Sequence, residues 1–372
     1  MKTRGAVIRQ APGTYEITDL YIDDPREGEL RVRMVASGMC HSDDHVATGD
    51  LPMGTYPVAG GHEGAGIVDA IGPGTPGFAV GDKVVFSFVP VCGRCRWCAT
   101  GHQNLCDLSN TIGNGARPTD PTSFRIHTED GRPVGQMCGV SSFCEYTTIS
   151  MYSAVKVPDD TPLEQASLLA CCVGTGWGAA VYTGGVRPGD TVVVAGVGGV
   201  GANALQGAAH AGAVNVIAVD PVELKRDTAM LFGATHAVED LKQARRLAKS
   251  LTDGQGADVT IVTIGVVKSE HIQQAYATVR KQGTLVLSGA GSTQDVGLAI
   301  PFGNLTMTEK TIKGSLFGSM NPTVDIPRML GMYRQGRLKL DELITRRYSL
   351  DEINRGYADM HAGKVTRGVI CF

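Results

Sequence analysis

Over residues 1–155 apolar and polar side chains alternate in short segments, as in Leu30-Arg31-Val32-Arg33-Met34, separated by clusters of Gly, Pro and Asp. A period of two places one face of a strand inward, so this part of the chain is predicted to be β-rich. From about Pro158 the pattern changes. Ala- and Leu-rich stretches with helical spacing alternate with short apolar runs at 191–195, 214–219, 259–263 and 284–287, which predict the parallel strands of an α/β sheet. After about Gly314 the pattern is mixed again, with a helix expected near 326–335 and a final apolar run at 368–372. There is no internal repeat and no low-complexity tract.

Two stretches resist the simple pattern. Residues 192–209 carry no charge for eighteen positions, a length that could span a membrane, but five are glycine and His210 follows, so a strand, a turn and a buried helix explain them better. Residues 107–139 have no clear period, and a long loop of this kind is usually functional or an interface.

With 372 residues the chain has room for two domains and a core independent of disulfides. Its 34 basic and 37 acidic residues leave a net charge of −3 without a block of one sign, which points away from nucleic-acid and membrane partners. The N-terminus enters a strand-like pattern without an apolar leader, and ten cysteines without an export signal suit reduced thiols, so a cytoplasmic location is expected.

Four of those cysteines, Cys92, Cys95, Cys98 and Cys106, are spaced C-x2-C-x2-C-x7-C. Four thiolates this close along the chain can surround one tetrahedral ion, so 92–106 reads as a structural zinc lobe. Only Val91, Trp97 and Leu105 could form a local apolar core there, and a metal can supply the missing cohesion. A nucleic-acid-binding zinc ribbon would place about 15–20 residues between its cysteine pairs, which this run does not.

Gly196, Gly198 and Gly201 form G-x-G-x-x-G with Val197, Gly199 and Val200 between them, after the run 191–195 and before an Ala-rich helix. This is the context of a dinucleotide-binding turn: a tight bend, backbone access to a pyrophosphate, and close helix–strand packing. A second apolar run ends in Asp220, nineteen residues after the last glycine. A carboxylate there accepts from ribose hydroxyls and repels a 2′-phosphate, favouring NAD over NADP. Lys225 and Arg226 follow, on a solvated helix face or beside the adenosine.

Cys40, Gly61-His62-Glu63-x-x-Gly66 and Cys171-x-x-x-Thr175-Gly176 add a second set of metal-binding side chains. Together with the lobe and the glycine turn, in this order and across nearly the whole chain, they resemble the zinc-dependent medium-chain alcohol dehydrogenases. The resemblance implies an α/β protein with a GroES-like, β-rich catalytic domain at 1–172, carrying the lobe, a doubly wound parallel-sheet Rossmann domain at 173–314 that binds NAD, and a return to the catalytic domain at 315–372. It implies two Zn²⁺ per chain. Cys40, His62 and Cys171 would hold the catalytic ion with one position open to an alcohol or water; Cys172 is the rival third ligand, but Cys171 matches the motif.

The same resemblance assigns Ser42 and His45 to a proton relay, Asp43 to orienting His62, and Glu63 to a place beside the zinc. It puts His41 and Arg367 near the pyrophosphate, Thr175 and Phe317 near the cofactor, and Phe88 and Leu316 along the substrate channel. It implies a small alcohol or aldehyde as partner and a homo-oligomer, dimer or tetramer. Asn110 stands where glutathione-dependent formaldehyde dehydrogenases carry arginine, which argues against a thiol adduct as substrate. The actinobacterial nicotinoprotein subgroup is similar in motifs and in its long loop; there NAD stays bound and an external acceptor reoxidises it.

Overall fold

The alternation at 30–34 belongs to a strand, Glu29–Gly38, in which Leu30, Val32, Met34 and Ala36 are buried while Arg31 and Arg33 occupy the other face. The computed structural model describes residues 1–289, 291 and 298–372. The chain forms two units, Met1–Cys171 with Asn321–Phe372, and Cys172–Met320.

In the first unit a closed barrel joins Lys2–Ile8, Glu16–Ile22, Ile126–His127, Pro133–Gln136 and Val58–Ala59. A seven-stranded sheet runs Ala154–Val157, Lys83–Phe86, Glu63–Ile71, Glu29–Gly38, Arg367–Cys371 and Ile344–Tyr348, and Tyr146–Ser150 also pairs with Glu29–Gly38. The C-terminal strand lies antiparallel to Glu29–Gly38, with Val369 opposite Gly38 and Cys371 opposite Ala36. This register lays the C-terminal strand alongside the end of the strand that leads to Cys40.

The aperiodic stretch 107–139 is built into this unit. It supplies two barrel strands too short to show alternation, and it is anchored by a buried charge cluster in which Arg125 Nε lies 2.9 Å from Glu29 Oε2 and Arg117 also pairs with Glu29.

The second unit is a six-stranded parallel sheet in the order His236–Val238, Asn215–Val219, Thr191–Ala195, Ala257–Val262, Val279–Leu287, Thr311–Gly314. In chain order this is 3-2-1-4-5-6, the doubly wound dinucleotide-binding arrangement, with its switch point beside Thr191–Ala195. The uncharged stretch resolves into that strand, the glycine turn and the helix Gly199–His210. Among the described residues no single helix is long and apolar enough to cross a membrane.

Residues 315–320, expected with the returning segment, lie in the second unit instead. A Cβ on Gly318 would stand 2.2 Å from the Gly174 carbonyl and 2.9 Å from Gly178 Cα, so this turn is packed directly on the helix Cys172–Gly178. This close approach of two backbones is invisible in the sequence.

Candidate active site

Cys40, His62, Glu63 and Cys171 bring one potential ligand atom each to within 4.8 Å of the others, and all four are buried. Cys40 ends the stretch after Glu29–Gly38 and begins the helix His41–Thr48. His62 follows the turn Gly60-Gly61, where Gly61 has φ +88° and a Cβ would meet Phe143 N at 2.5 Å. Only glycine fits that position. Cys171, not Cys172, supplies the thiol of this cluster.

Asp43, with no exposed surface, organises the group. Its Oδ1 accepts from Gly61 N–H at 3.1 Å and lies 2.9 Å from His62 Nδ1, while its Oδ2 accepts from Cys40 N–H at 3.2 Å. With Nδ1 engaged, His62 has Nε2 left for a metal. On the far side Glu63 forms a buried ion pair with Arg367, and its Oε2 is buried without a hydrogen-bond partner among the described residues.

The electrostatics favour a thiolate at Cys40. Hydrogen bonding with Cys171 holds the Cys40 thiol well below its usual range against the cost of burial, and Arg367 and His62 add to it. Burial disfavours charge on His62, but Asp43 and Cys40 outweigh it and raise its pKa. Burial pushes Glu63 up to about 7, although Arg367 opposes this. Two thiols, an oriented imidazole and a partnerless carboxylate oxygen fit a zinc ion with an exchangeable fourth position.

The cysteines of the lobe also converge. Cys92 Sγ lies 3.9 Å from Cys98 Sγ, and Cys95 Sγ lies 3.9 Å from Cys106 Sγ. A tetrahedron with Zn–S bonds of about 2.3 Å requires edges of about 3.8 Å, whereas a disulfide would bring the sulfurs to about 2 Å. Backbone N–H groups of Cys92, Cys95 and Cys98 point at the sulfurs of Cys106, Cys92 and Cys95. Burial disfavours the Cys95 thiolate, but the N–H groups of Cys98 and Asp107 lead the interactions that bring its pKa down to about 6. Trp97 is 37% exposed and Leu105 40% exposed, so neither forms a local core, and an ion held by the four sulfurs would supply the cohesion.

In the second unit the glycine turn suits a dinucleotide. Gly196 has φ +91°, a Cβ on Gly201 would stand 1.8 Å from the Gly196 carbonyl, and around Gly198 there is open space. The opening lies at the N-terminus of Gly199–His210, where free N–H groups favour phosphate. Val200 is half-buried in its first turn. Asp220 Oδ2 accepts from Val197 N–H at 2.8 Å, joining the acid to the turn. Arg226 donates to the Asp220 and Pro221 carbonyls, both at 2.8 Å, which ties it to the strand end, while Lys225 is half-buried.

Around the first cluster, Ser42 Oγ lies 3.7 Å from Cys40 Sγ, and buried His45 has Nδ1 3.2 Å from Asp50 Oδ2. His41 opens the same helix and is half-buried. Phe88 meets the His62 ring edge-on at 5.7 Å. Arg367, expected at a pyrophosphate, has its guanidinium on Glu63. In the second unit Thr175 and Phe317 are buried and Leu316 is 45% exposed. Sequence reasoning missed Asp50 and the Glu63–Arg367 pair; an acid a few residues beyond a histidine, or an arginine some 300 residues away, gives no pattern to read.

Comparison with known proteins agrees with this geometry. Residues 26–159 match the alcohol dehydrogenase GroES-like domain and residues 199–334 the zinc-binding dehydrogenase domain. The chain is 50% identical over 370 residues to an NDMA-dependent alcohol dehydrogenase of Amycolatopsis methanolica, covering 100% of this chain and 99% of that one. It is 45% identical to alcohol dehydrogenase B of Mycobacterium tuberculosis, covering 100% and 98%. Benzyl alcohol dehydrogenase of Acinetobacter calcoaceticus superposes with a TM-score of 0.89 at 31% identity, covering 100% of this chain and 99% of that structure. The chain belongs to the zinc-dependent medium-chain alcohol dehydrogenases, enzymes that use zinc and a nicotinamide dinucleotide.

Proposed function

We propose that Cys40, His62 and Cys171 hold the catalytic zinc and Cys92, Cys95, Cys98 and Cys106 a structural one, and that the chain oxidises an apolar alcohol with an NAD that stays bound between turnovers. The observation that carries the site assignment is Asp43 fixing His62 Nδ1 within a buried cluster of two thiols. When bound, the zinc supplies Lewis acidity toward an alcohol oxygen and the NAD supplies a two-electron acceptor.

The chain's own residues do the rest. Asp43 and Phe88 hold the His62 ring from its polar and apolar sides. Ser42 Oγ, beside Cys40, would accept the alcohol proton as its own proton passes on along the relay toward His45. His45 would pass a proton outward, a role supported by its Nδ1 partner Asp50, whose side chain is 35% exposed. Asp220 and the glycine turn anchor the adenosine half of NAD. Arg367 neutralises Glu63.

Retention of NAD and its reoxidation by an external acceptor rest on the similarity to the NDMA-dependent enzyme. A homo-oligomer is supported by Thr311–Gly314 at the sheet edge, with Phe302 87% and Met307 80% exposed on the preceding helix. Unpaired edges and exposed apolar side chains favour pairing with a second copy. Native mass spectrometry counts zinc, NAD and subunits together. Two zincs and one retained NAD per subunit in an oligomer are expected; one zinc overturns the site assignment, loss of NAD the retained cofactor, and a monomer the assembly.

A further inference from the structure

The turn that carries His62 is gripped from outside by residues 137–143, a segment with no part in the function so far. Cys138, Gly139 and Ser141 have φ of 53°, 69° and 47°. Residues with a Cβ adopt this left-handed conformation when their surroundings hold them in it. Here the holding group is the Ser141 hydroxyl, which is fully buried: it accepts from Met137 N–H at 3.1 Å and donates to the Ala59 carbonyl at 2.7 Å.

The grip continues along the chain. Ser142 N–H donates to the Gly61 carbonyl at 2.9 Å and Phe143 N–H to the Gly60 carbonyl at 3.0 Å. Ser142 Oγ bonds to Ser37 Oγ at 2.7 Å, within the strand that leads to Cys40. Residues 141–143 therefore take up the carbonyls of 59, 61 and 60, the three residues before His62. There is no slack between the two segments, because a Cβ on Gly61 would stand 2.6 Å from Ser142 Oγ.

We infer that Ser141 is a positioning residue for His62. Its hydroxyl locks the left-handed segment, the segment fixes the backbone of 59–61, and that backbone sets where the imidazole meets the cluster. The inference rests on the reading of His62 as a catalytic-zinc ligand.

The test is zinc release from the purified enzyme to a chromogenic chelator, with the four-cysteine lobe as internal control. Ser141→Ala and Ser141→Gly both remove the hydroxyl; the glycine variant tolerates φ 47° and keeps the test available if the alanine variant does not fold. The catalytic zinc is expected to leave about 10-fold faster in both while the lobe zinc keeps its wild-type rate, since residues that orient metal ligands are commonly worth that much. Cobalt(II) replacing the catalytic zinc should show displaced d–d bands. Unchanged catalytic-site release, or equal acceleration at both sites, would overturn the role of Ser141. If His62→Ala still holds two zincs, the reading of the site itself fails; if it holds one while the Ser141 variants release zinc normally, only the positioning role fails.

Discussion

Asp43 Oδ1 lies 2.9 Å from His62 Nδ1, and the same carboxylate accepts from the N–H groups of Gly61 and Cys40. One buried side chain thus sets both the orientation of the imidazole and the backbone on either side of the cluster. Asp43→Ala strands three buried donors and should weaken catalytic-zinc affinity about 10–100-fold. Asp43→Asn keeps the shape but aims an NH₂ at one of those donors, so it should fall between wild type and alanine. Chelator competition measures both, and wild-type affinity in the alanine variant would remove Asp43 from the site.

The lobe should separate from the chemistry. With its sulfurs 3.9 Å apart and Trp97 and Leu105 exposed, it has little apolar cohesion of its own. Cys98→Ala should leave one zinc per chain and lower the melting temperature, while single-turnover hydride transfer in the remaining folded protein continues. Abolished transfer in a variant still folded, assembled and loaded with its catalytic zinc would contradict that division.

Asp220 should decide cofactor choice. Its carboxylate is tied to the glycine turn through Val197 N–H, and Asp220→Ser removes both that bond and the charge that opposes a 2′-phosphate. NAD binding should weaken about 10-fold or more, as expected for loss of hydrogen bonds to a charged group, while discrimination against NADP falls. Titration of both cofactors into the stripped enzyme measures this, and an unchanged ratio would count against the assignment.

A pH effect on stability follows from Asp359, which accepts from Tyr348 OH at 2.9 Å and Arg346 Nη1 at 2.6 Å. The Tyr348 bond first, then that of Arg346, holds its carboxyl below the usual range. Because the folded pKa lies below the unfolded one, the stabilisation is present above the unfolded value, about 3.9, and is lost as pH falls toward the depressed value. The gap in urea midpoint between wild type and Asp359→Asn should therefore shrink from about pH 5 to about pH 3. A gap constant over that range would show that Asp359 ionisation contributes nothing.

Much of the molecule was legible because its signals are local. The alternation at 30–34, the apolar runs of the parallel sheet, the glycine turn and the spacing of Cys92, Cys95, Cys98 and Cys106 each express a periodicity or a tight bend within a few residues. Cys40, His62 and Cys171 could be named, but only through resemblance. Spacing gave no reason to choose Cys171 over Cys172.

The sequence by itself determined the β-rich and α/β regions, the four-thiol lobe and the dinucleotide turn, because hydrophobic period, turn geometry and ligand spacing are properties of short segments. Tertiary structure decided what joins distant segments. The sheet register sets Arg367 against Glu63, and the left-handed segment at Ser141 holds the turn before His62. Gly318 packs against Gly174, and 315–320 group with the second unit. Those contacts depend on which backbones approach closely in space, and no local pattern of side chains encodes that approach.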